Sequence, residues 1–429
     1  MSRKCRFGRI HGMRSIATDT NGFPEPGGMG SMLIRGARVV TPGRDLGVAG
    51  VRIDGGRIVA VGADAAKREG DEVVEADGMT LLPGFVDIHS HGRSGRDFCD
   101  ATDEAFDVIG RGKLKDGVTG FLATGLTRPE EELAELCRAA ERYKARTAEG
   151  LCGAACLGVH LEGPFFNAEM AGAQNPAYLR KPDASLVKRL DGISPVKKVS
   201  LAPELEGAEE CIRELSAAGI VASGGHSAAD YDTFERARAA GMTHLTHFCN
   251  AMMPIHHLRP TMVTGGLLAD DVFVEVITDG VHLSDPMIRL IARAKGPDRV
   301  MVITDAMCAA GEPDGIYSLG GLRVRVEKGR ATLADVPYDP KAVVSNVAGS
   351  VALFPDCFRR FVCVTGWPLH EAVKAAGYNQ LRSLGIADRG EIAVGQAADL
   401  VLVDDALVPR MTIAGASPDP AAAIRGRGR

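Results

Sequence analysis

The sequence predicts a (β/α)8 TIM-like barrel carrying a small β-sandwich domain formed from both chain ends. Three observations predict it. Eight apolar, strand-like runs recur along the middle of the chain: "GFVDIHSH", "GVTGFLATG", "CLGVHLEGP", "VKKVSLAPE", "GIVASGGHS", "MTHLTHFCNAM", "VFVEVITDGVHL" and "RVMVITDAM". Short alternating strands with Gly-containing turns precede that middle and return after it. Ionisable residues close six of the eight runs, as the convergent mouth of such a barrel would require.

Taken in order, residues 1–31 read as a disordered leader, or as sequence upstream of a true start near Met32. "MSRKCRFGRIHGMRS" holds five basic residues before any acid, and "NGFPEPGGMGS" is turn-forming. Residues 32–82 supply the first part of the sandwich, in "MLIRGARVV", "AGVRIDGGRIVAVG" and "DEVVEADGMTLL". Residues 83–385 form the barrel. Its continuous Val/Ile/Leu runs suit parallel strands buried on both faces. Amphipathic segments such as "EEELAELCRAAERYKAR" and "GAEECIRELSAAG" supply the intervening helices. Residues 386–416, "GEIAVGQAADLVLVDDALVPRMTIAG" at their centre, return to the sandwich, and 417–429 end as a basic tail. A chain of 429 residues exceeds one core, in keeping with a large domain and a smaller one.

Composition excludes several function classes. Fifty basic against 55 acidic residues give a formal charge of −5, which argues against a nucleic-acid binder. No apolar run reaches the ~18 residues of a membrane helix. Ten cysteines form no CxxC pair, so reduced thiols and a cytoplasmic setting are expected.

The runs end on His89 and His91, Glu162, His226, His247, His282 and Asp305. Residues i and i+2 of a strand share a face, so His89 and His91 could hold a metal or simply mark where a strand meets solvent. Placed as one of six polar strand ends around a single mouth, the pair points to metal. Burying seven ionisable groups unpaired would cost several kcal/mol each. Four histidines, one glutamate and one aspartate form a nitrogen–oxygen set suited to Zn2+, Fe2+, Mn2+ or Co2+. Such an ion lowers the pKa of bound water and polarises a carbonyl, and a neighbouring carboxylate can carry the proton to a leaving amine. The implied chemistry is metal-assisted hydrolysis of an amide or ester. His160 shares the Glu162 face by period two and reads either as structural or as support behind the ligands. His244 faces the other way from His247, and Cys249, Cys308 and Trp367 read as packing residues.

"PGFVDIHSHG", "HLEGPFFN", "GGHSAA", "THLTHFCNAM", "DGVHL", "ITDAM" and "VAGS" together resemble, in order, the motifs of the N-acetylglucosamine-6-phosphate deacetylases of the amidohydrolase superfamily. The resemblance runs from about Met32 to about Pro409. It implies a barrel with a small sandwich, and hydrolysis of the acetamide of an N-acetyl amino-sugar 6-phosphate. Glu162, His226 and His247 are then shared metal ligands, with Asp305 as the catalytic base and acid. His89 and His91 put the chain with members that hold two ions, zinc being the first expectation, bridged by the glutamate. His282, Asn250, Ala251 and the loop Val347, Ala348 and Gly349 resemble substrate contacts, and a homodimer is implied.

Two departures bear on substrate. Where the family reads "GAHN" or "GTHN", this chain has "GAQN", so Ala173 and Gln174 stand at that substrate position and an amide replaces an imidazole. An amide donates hydrogen bonds but carries no positive charge, so carbonyl activation is expected to lean more on metal. In "NAMMPIHHLRPTMVTGG", Arg259 matches the family's phosphate-gripping arginine only with a one-residue shift. Alternatives therefore stay open: N-acetylgalactosamine-6-phosphate, an unphosphorylated N-acetyl sugar, or a metal-binding homologue with impaired catalysis. A cyclic-amide hydrolase is disfavoured, because Glu162 stands where those enzymes bridge their metals with a carboxylated lysine.

Overall fold

The computed structural model of the chain describes residues 31–337, 339 and 346–415. The expected leader, apart from Ser31, and the expected tail at 417–429 lie outside the described residues. Eight parallel strands follow one another around the sheet: Phe85–Asp87, Val118–Gly125, Ala155–Phe165, Val196–Leu201, Val221–Gly224, His244–Leu245, Phe273–Ile277 and Val300–Ile303. Seven fall within the predicted runs, and the third overruns its run, "CLGVHLEGP", by one residue at each end. The eighth closes on the first through a parallel bridge between Ser90 and Ala306, and Asp305 N donates to His89 O at 2.9 Å.

A helix follows every strand, from Asp103–Lys115 after the first to Phe354–Thr365 after the eighth. Local chemistry starts them where the sequence allows. Thr102 accepts from Ala105 N (3.2 Å) and Asp230 from Thr233 N (2.8 Å), each satisfying an unpaired N–H of a first turn. The inward faces of the helices join one continuous core with the strands, in which Phe85 stacks on Phe354 with ring centroids 5.2 Å apart.

The sandwich is built from both chain ends. One sheet is ordered Arg57–Val61, Val51–Asp54, Met32–Arg35, Glu72–Glu75. The other runs Pro409–Ile413, Leu400–Val403, Thr80–Pro83, Arg38–Thr41, Arg44–Val48, with Leu400 paired antiparallel to Pro83. Period two divides the work along Leu400–Val403. Leu400 and Leu402 enter the sandwich core, whereas Val401 and Val403 join the barrel core beside Phe85.

Two features differ from the sequence reading. The first barrel strand ends at Asp87, so His89 and His91 stand beyond it, held by the bridge to the eighth strand. A three-stranded antiparallel sheet, Gly315–Leu319, Leu322–Glu327 and Arg330–Leu333, rises after the eighth strand and was not foreseen. Its last strand bridges at Thr332 to Val347, which anchors the loop running through Gly349.

Candidate active site

Three site residues share an unusual backbone. His226, His247 and Asp305 each lie two residues past a strand end and have positive φ, at 48°, 29° and 49°. The left-handed region costs a non-glycine residue roughly 1–2 kcal/mol, and here the turn aims each side chain into the barrel mouth. The surrounding hydrogen bonds hold the strain. Asp305 O accepts from Ser350 N at 2.7 Å, and His247 O accepts from the backbone N and the Nδ2 of Asn250 at 2.9 and 3.1 Å. Gly349 (φ 60°) packs so closely on Asp305 that an added Cβ would meet its carbonyl oxygen at 3.0 Å.

These turns bring six predicted residues together in two groups that share Glu162. His89, His91, Glu162 and Asp305 form one; Glu162, His226 and His247 form the other. All six are buried. His91 Nε2 lies 3.1 Å from both Glu162 Oε2 and Asp305 Oδ1. His89 Nε2 lies 3.2 Å from Glu162 Oε1 and 3.4 Å from Asp305 Oδ1. His226 and His247 approach Glu162 Oε1 at 3.4 and 3.2 Å, and their own Nε2 atoms face each other at 3.0 Å.

Proton bookkeeping shows that this arrangement fits a cation. His226 Nδ1 sits 2.8 Å from the carbonyl of Met170, which can only accept, so the proton is on Nδ1 and the Nε2 lone pair faces Glu162. His89 Nδ1 sits 3.0 Å from the Glu275 carboxylate, again acceptor-only when ionised, which turns the His89 Nε2 lone pair towards Glu162 and Asp305. These nitrogens thus converge on carboxylate oxygens, an arrangement that a divalent ion satisfies once it displaces their protons. Without an ion, protons on His89 and His91 take its place. Burial would lower His89, but Glu162 and Asp305 raise it to about 9; burial would likewise lower His91, but its bonds to Asp305 and Glu162 raise it well above the usual histidine range. Glu162 and Asp305 are held below the usual carboxylate range despite burial, chiefly by His89. The pocket calls for positive charge.

The remaining predicted residues differ in how they stand to this centre. Gln174 is buried and donates through Nε2 to Glu162 Oε2 at 2.6 Å, while its Oε1 accepts from Thr127 N at 2.8 Å. Because Thr127 N can only donate, the amide orientation is determined, and its donor is directed at the shared carboxylate. Ala173 precedes it, half-buried against the core beneath the three-stranded sheet. His282 Nδ1 donates to Asp279 Oδ2 at 2.8 Å, and although burial would lower its pKa, Asp279 and then Asp305 raise it. Ala251 (φ 49°) accepts from Ser227 N at 3.0 Å. Arg259 is exposed on the loop beyond Asn250, outside the buried cluster, with its backbone N 3.3 Å from His256 Nδ1.

His160, left open by the sequence, is tied by Nδ1 to Thr124 Oγ1 (3.3 Å) and by Nε2 to Ser200 Oγ (2.8 Å), edge-on beneath the His89 ring. Burial pushes it well below the usual histidine range, so it supports the site as a neutral ring. His244 stacks on Phe273 outside the cluster. Burial pushes the Cys249 and Cys308 thiols up to about 12 and about 11, as packing residues should be. Sequence reasoning missed Lys198 and Glu275, both wholly buried and ion-paired inside the barrel. The available signal was charge inside two apolar runs, two lysines in "VKKVSL" and a glutamate in "VFVEVI".

The sequence profile of the amidohydrolase family matches residues 80–426. An N-acetylglucosamine-6-phosphate deacetylase of Lysinibacillus sphaericus is 34% identical over 387 residues, 89% of this chain and 96% of the relative. The chain belongs to the N-acetylglucosamine-6-phosphate deacetylase family of amidohydrolases. The human deacetylase of that name is 35% identical over 80% of this chain and 83% of its own length. Among solved structures, a Mycobacterium smegmatis deacetylase variant in complex with N-acetyl-D-glucosamine-6-phosphate superposes with a TM-score of 0.81. It is 34% identical and is matched over 91% of this chain and 99% of that one. The Thermotoga maritima deacetylase superposes with a TM-score of 0.78 at 35% identity, over 89% of this chain and 98% of that one.

Proposed function

We propose that this chain hydrolyses the acetamide of N-acetylglucosamine-6-phosphate, releasing acetate and glucosamine-6-phosphate. The observation that carries the reading is the convergence of six motif residues on one buried mouth, in a chain whose relatives bear that activity. His89, His91, Glu162 and Asp305 would hold one divalent ion, and Glu162, His226 and His247 a second. Zinc is the first expectation for this nitrogen–oxygen set, with Fe2+, Mn2+ and Co2+ as alternatives. When bound, such ions acidify water and polarise the acetyl carbonyl.

The chain's own residues do the rest. Asp305, ionised among the histidines, takes a proton from the attacking water. Water oxygen bonds to the acetyl carbon, the carbon–nitrogen bond breaks, and Asp305 returns the proton to the departing amine. Asp279 aligns His282 with its Nε2 free to meet a sugar hydroxyl or the carbonyl oxygen. Gln174 steadies Glu162, which leaves carbonyl activation to the ions. Asn250, Ala251, Ala173 and the loop Val347, Ala348 and Gly349 frame the sugar.

One observation favours a second reading of the substrate. Arg259, the nearest match to the family's phosphate grip, is solvent-exposed, so N-acetylgalactosamine-6-phosphate and the unphosphorylated sugar belong in the same assay. A cytoplasmic homodimer completes the proposal. Ten cysteines without a CxxC pair suit a reducing compartment. The Arg259 loop exposes Ile255 and Leu258, apolar surface that a second subunit would cover. No described helix is long and apolar enough to cross a membrane. Acetate release from the three sugars by purified, metal-analysed protein is the test. No release with full metal content ends the reading; equal rates with and without the phosphate end the phosphorylated assignment.

A further inference from the structure

Glu275, on the seventh strand, and Lys198, on the fourth, are wholly buried inside the barrel and paired through Lys198 Nζ and Glu275 Oε1. A buried ion pair is commonly neutral or unfavourable for stability compared with an apolar pair of similar volume. Packing alone is therefore a poor reason for one here. The other carboxylate oxygen suggests a better one. Glu275 Oε2 accepts from His89 Nδ1 at 3.0 Å and from the backbone N–H of His247 at 3.2 Å. The backbone oxygen of Glu275 also accepts from Phe248 N at 2.7 Å. One residue thus grips a ring of the first ligand group and the backbone of the second.

The consequence for His89 follows from its two tautomers. With Glu275 in place Nδ1 keeps its proton, and Nε2 is the nitrogen left to give a lone pair to an ion in the space shared by Glu162 and Asp305. Without that acceptor the alternative tautomer becomes available. Its Nε2–H would then donate to Glu162 or Asp305, which lie 3.2 and 3.4 Å away, and the group would close on itself instead of holding a cation. Lys198 offsets the charge that Glu275 brings into the barrel.

We infer that Lys198 and Glu275 are a positioning pair that fixes the tautomer of His89 and so sets the affinity of the His89, His91, Glu162 and Asp305 group for its divalent ion. The inference rests on the reading that this group binds such an ion. Neither residue touches the reacting atoms.

The test uses the full chain titrated with Co2+ and Zn2+ against a competing chelator, with the cobalt absorption spectrum and Tm recorded alongside. Two double variants remove both buried charges together: Lys198→Met/Glu275→Leu, which has no acceptor for His89, and Lys198→Met/Glu275→Gln, whose amide oxygen still accepts. The Leu variant should bind one ion roughly 10- to 100-fold more weakly, with an altered cobalt spectrum. The Gln variant should recover most of that loss. Wild-type affinity in the Leu variant overturns the inference, and so does an equal loss in both variants, which marks a packing role. If the Leu variant does not fold, Glu275→Asp keeps a charge for Lys198 but draws the carboxylate back from His89. Weakened ion binding at wild-type Tm then supports the pair, and unchanged binding overturns it. Ion affinity is read apart from acetate release. Wild-type protein that binds ions without releasing acetate ends the proposed hydrolysis and leaves this inference standing.

Discussion

At the scale of the residue, the site is governed by which atoms can donate and which can only accept. Asp305 lies 3.1 Å from His91 Nε2 and is ionised, so it is placed to take and return a proton. Asp305→Asn keeps the shape and removes the base. Acetate release should fall roughly a hundred- to ten-thousand-fold, with the fold intact by circular dichroism; a loss under tenfold would remove Asp305 from the role. Gln174 spans Thr127 N and Glu162 Oε2. Gln174→Leu strands the buried Thr127 N–H and frees one side of the shared carboxylate. Denaturant unfolding should register a loss of about 1–3 kcal/mol, with turnover falling as well. Full stability in that variant would mean the amide is not holding the network. The sequence showed that Gln174 replaces an imidazole, but not that its donor would be directed at Glu162, because hydrogen-bond partners 12 and 47 residues away are settled by packing.

At the scale of the element, strand positions were legible because eight apolar runs, six of them closed by ionisable residues, repeat along the chain, and the ends of parallel strands meet at one mouth. Lys198 and Glu275 were not legible as a pair. Period two says which face each occupies but not which charge lies across the barrel, 77 residues apart. The sheet of Gly315–Leu333 was overlooked although "LGGLRVRVEKGR" carries two turn signals, since it interrupts the strand–helix alternation. The helix Asp285–Lys295 yields a pH prediction. Lys295, in its last turn, is buried against the carbonyl of Ala269, and burial brings it down to about 8. Between about 8 and the ordinary lysine value near 10.4, the unfolded chain binds more protons than the folded one, so stability should rise with pH across that window. The slope is at most one proton's worth, about 1.4 kcal/mol per pH unit. Unfolding curves from pH 7 to 10.5 should show the rise in the wild-type chain and a shallower one in Lys295→Met; identical profiles would exclude Lys295 as its source.

At the scale of the whole molecule, sandwich and barrel share a core. Val40, Leu82, Val401 and Val403 pack with Phe85 and Leu114 in one apolar cluster, and Gly117 lies at the contact. A Cβ there would meet Val401 Cγ2 at 3.0 Å and Phe85 Cδ2 at 3.1 Å, on a backbone with φ of 80°. Gly117→Ala should therefore destabilise by about 1–3 kcal/mol through left-handed strain and overpacking. Calorimetry should show the two domains melting together; two well-separated transitions would contradict a shared core. The sequence by itself determined the barrel, the sandwich drawn from both ends, the six cluster residues and their family, because these are carried by local periodicity and by short ordered motifs. Only the tertiary structure decided how protons are distributed among those residues, what holds His89, and where Gln174 directs its donor. Those choices depend on contacts between strands that are distant in the chain, and no local pattern encodes which lone pair will face which proton.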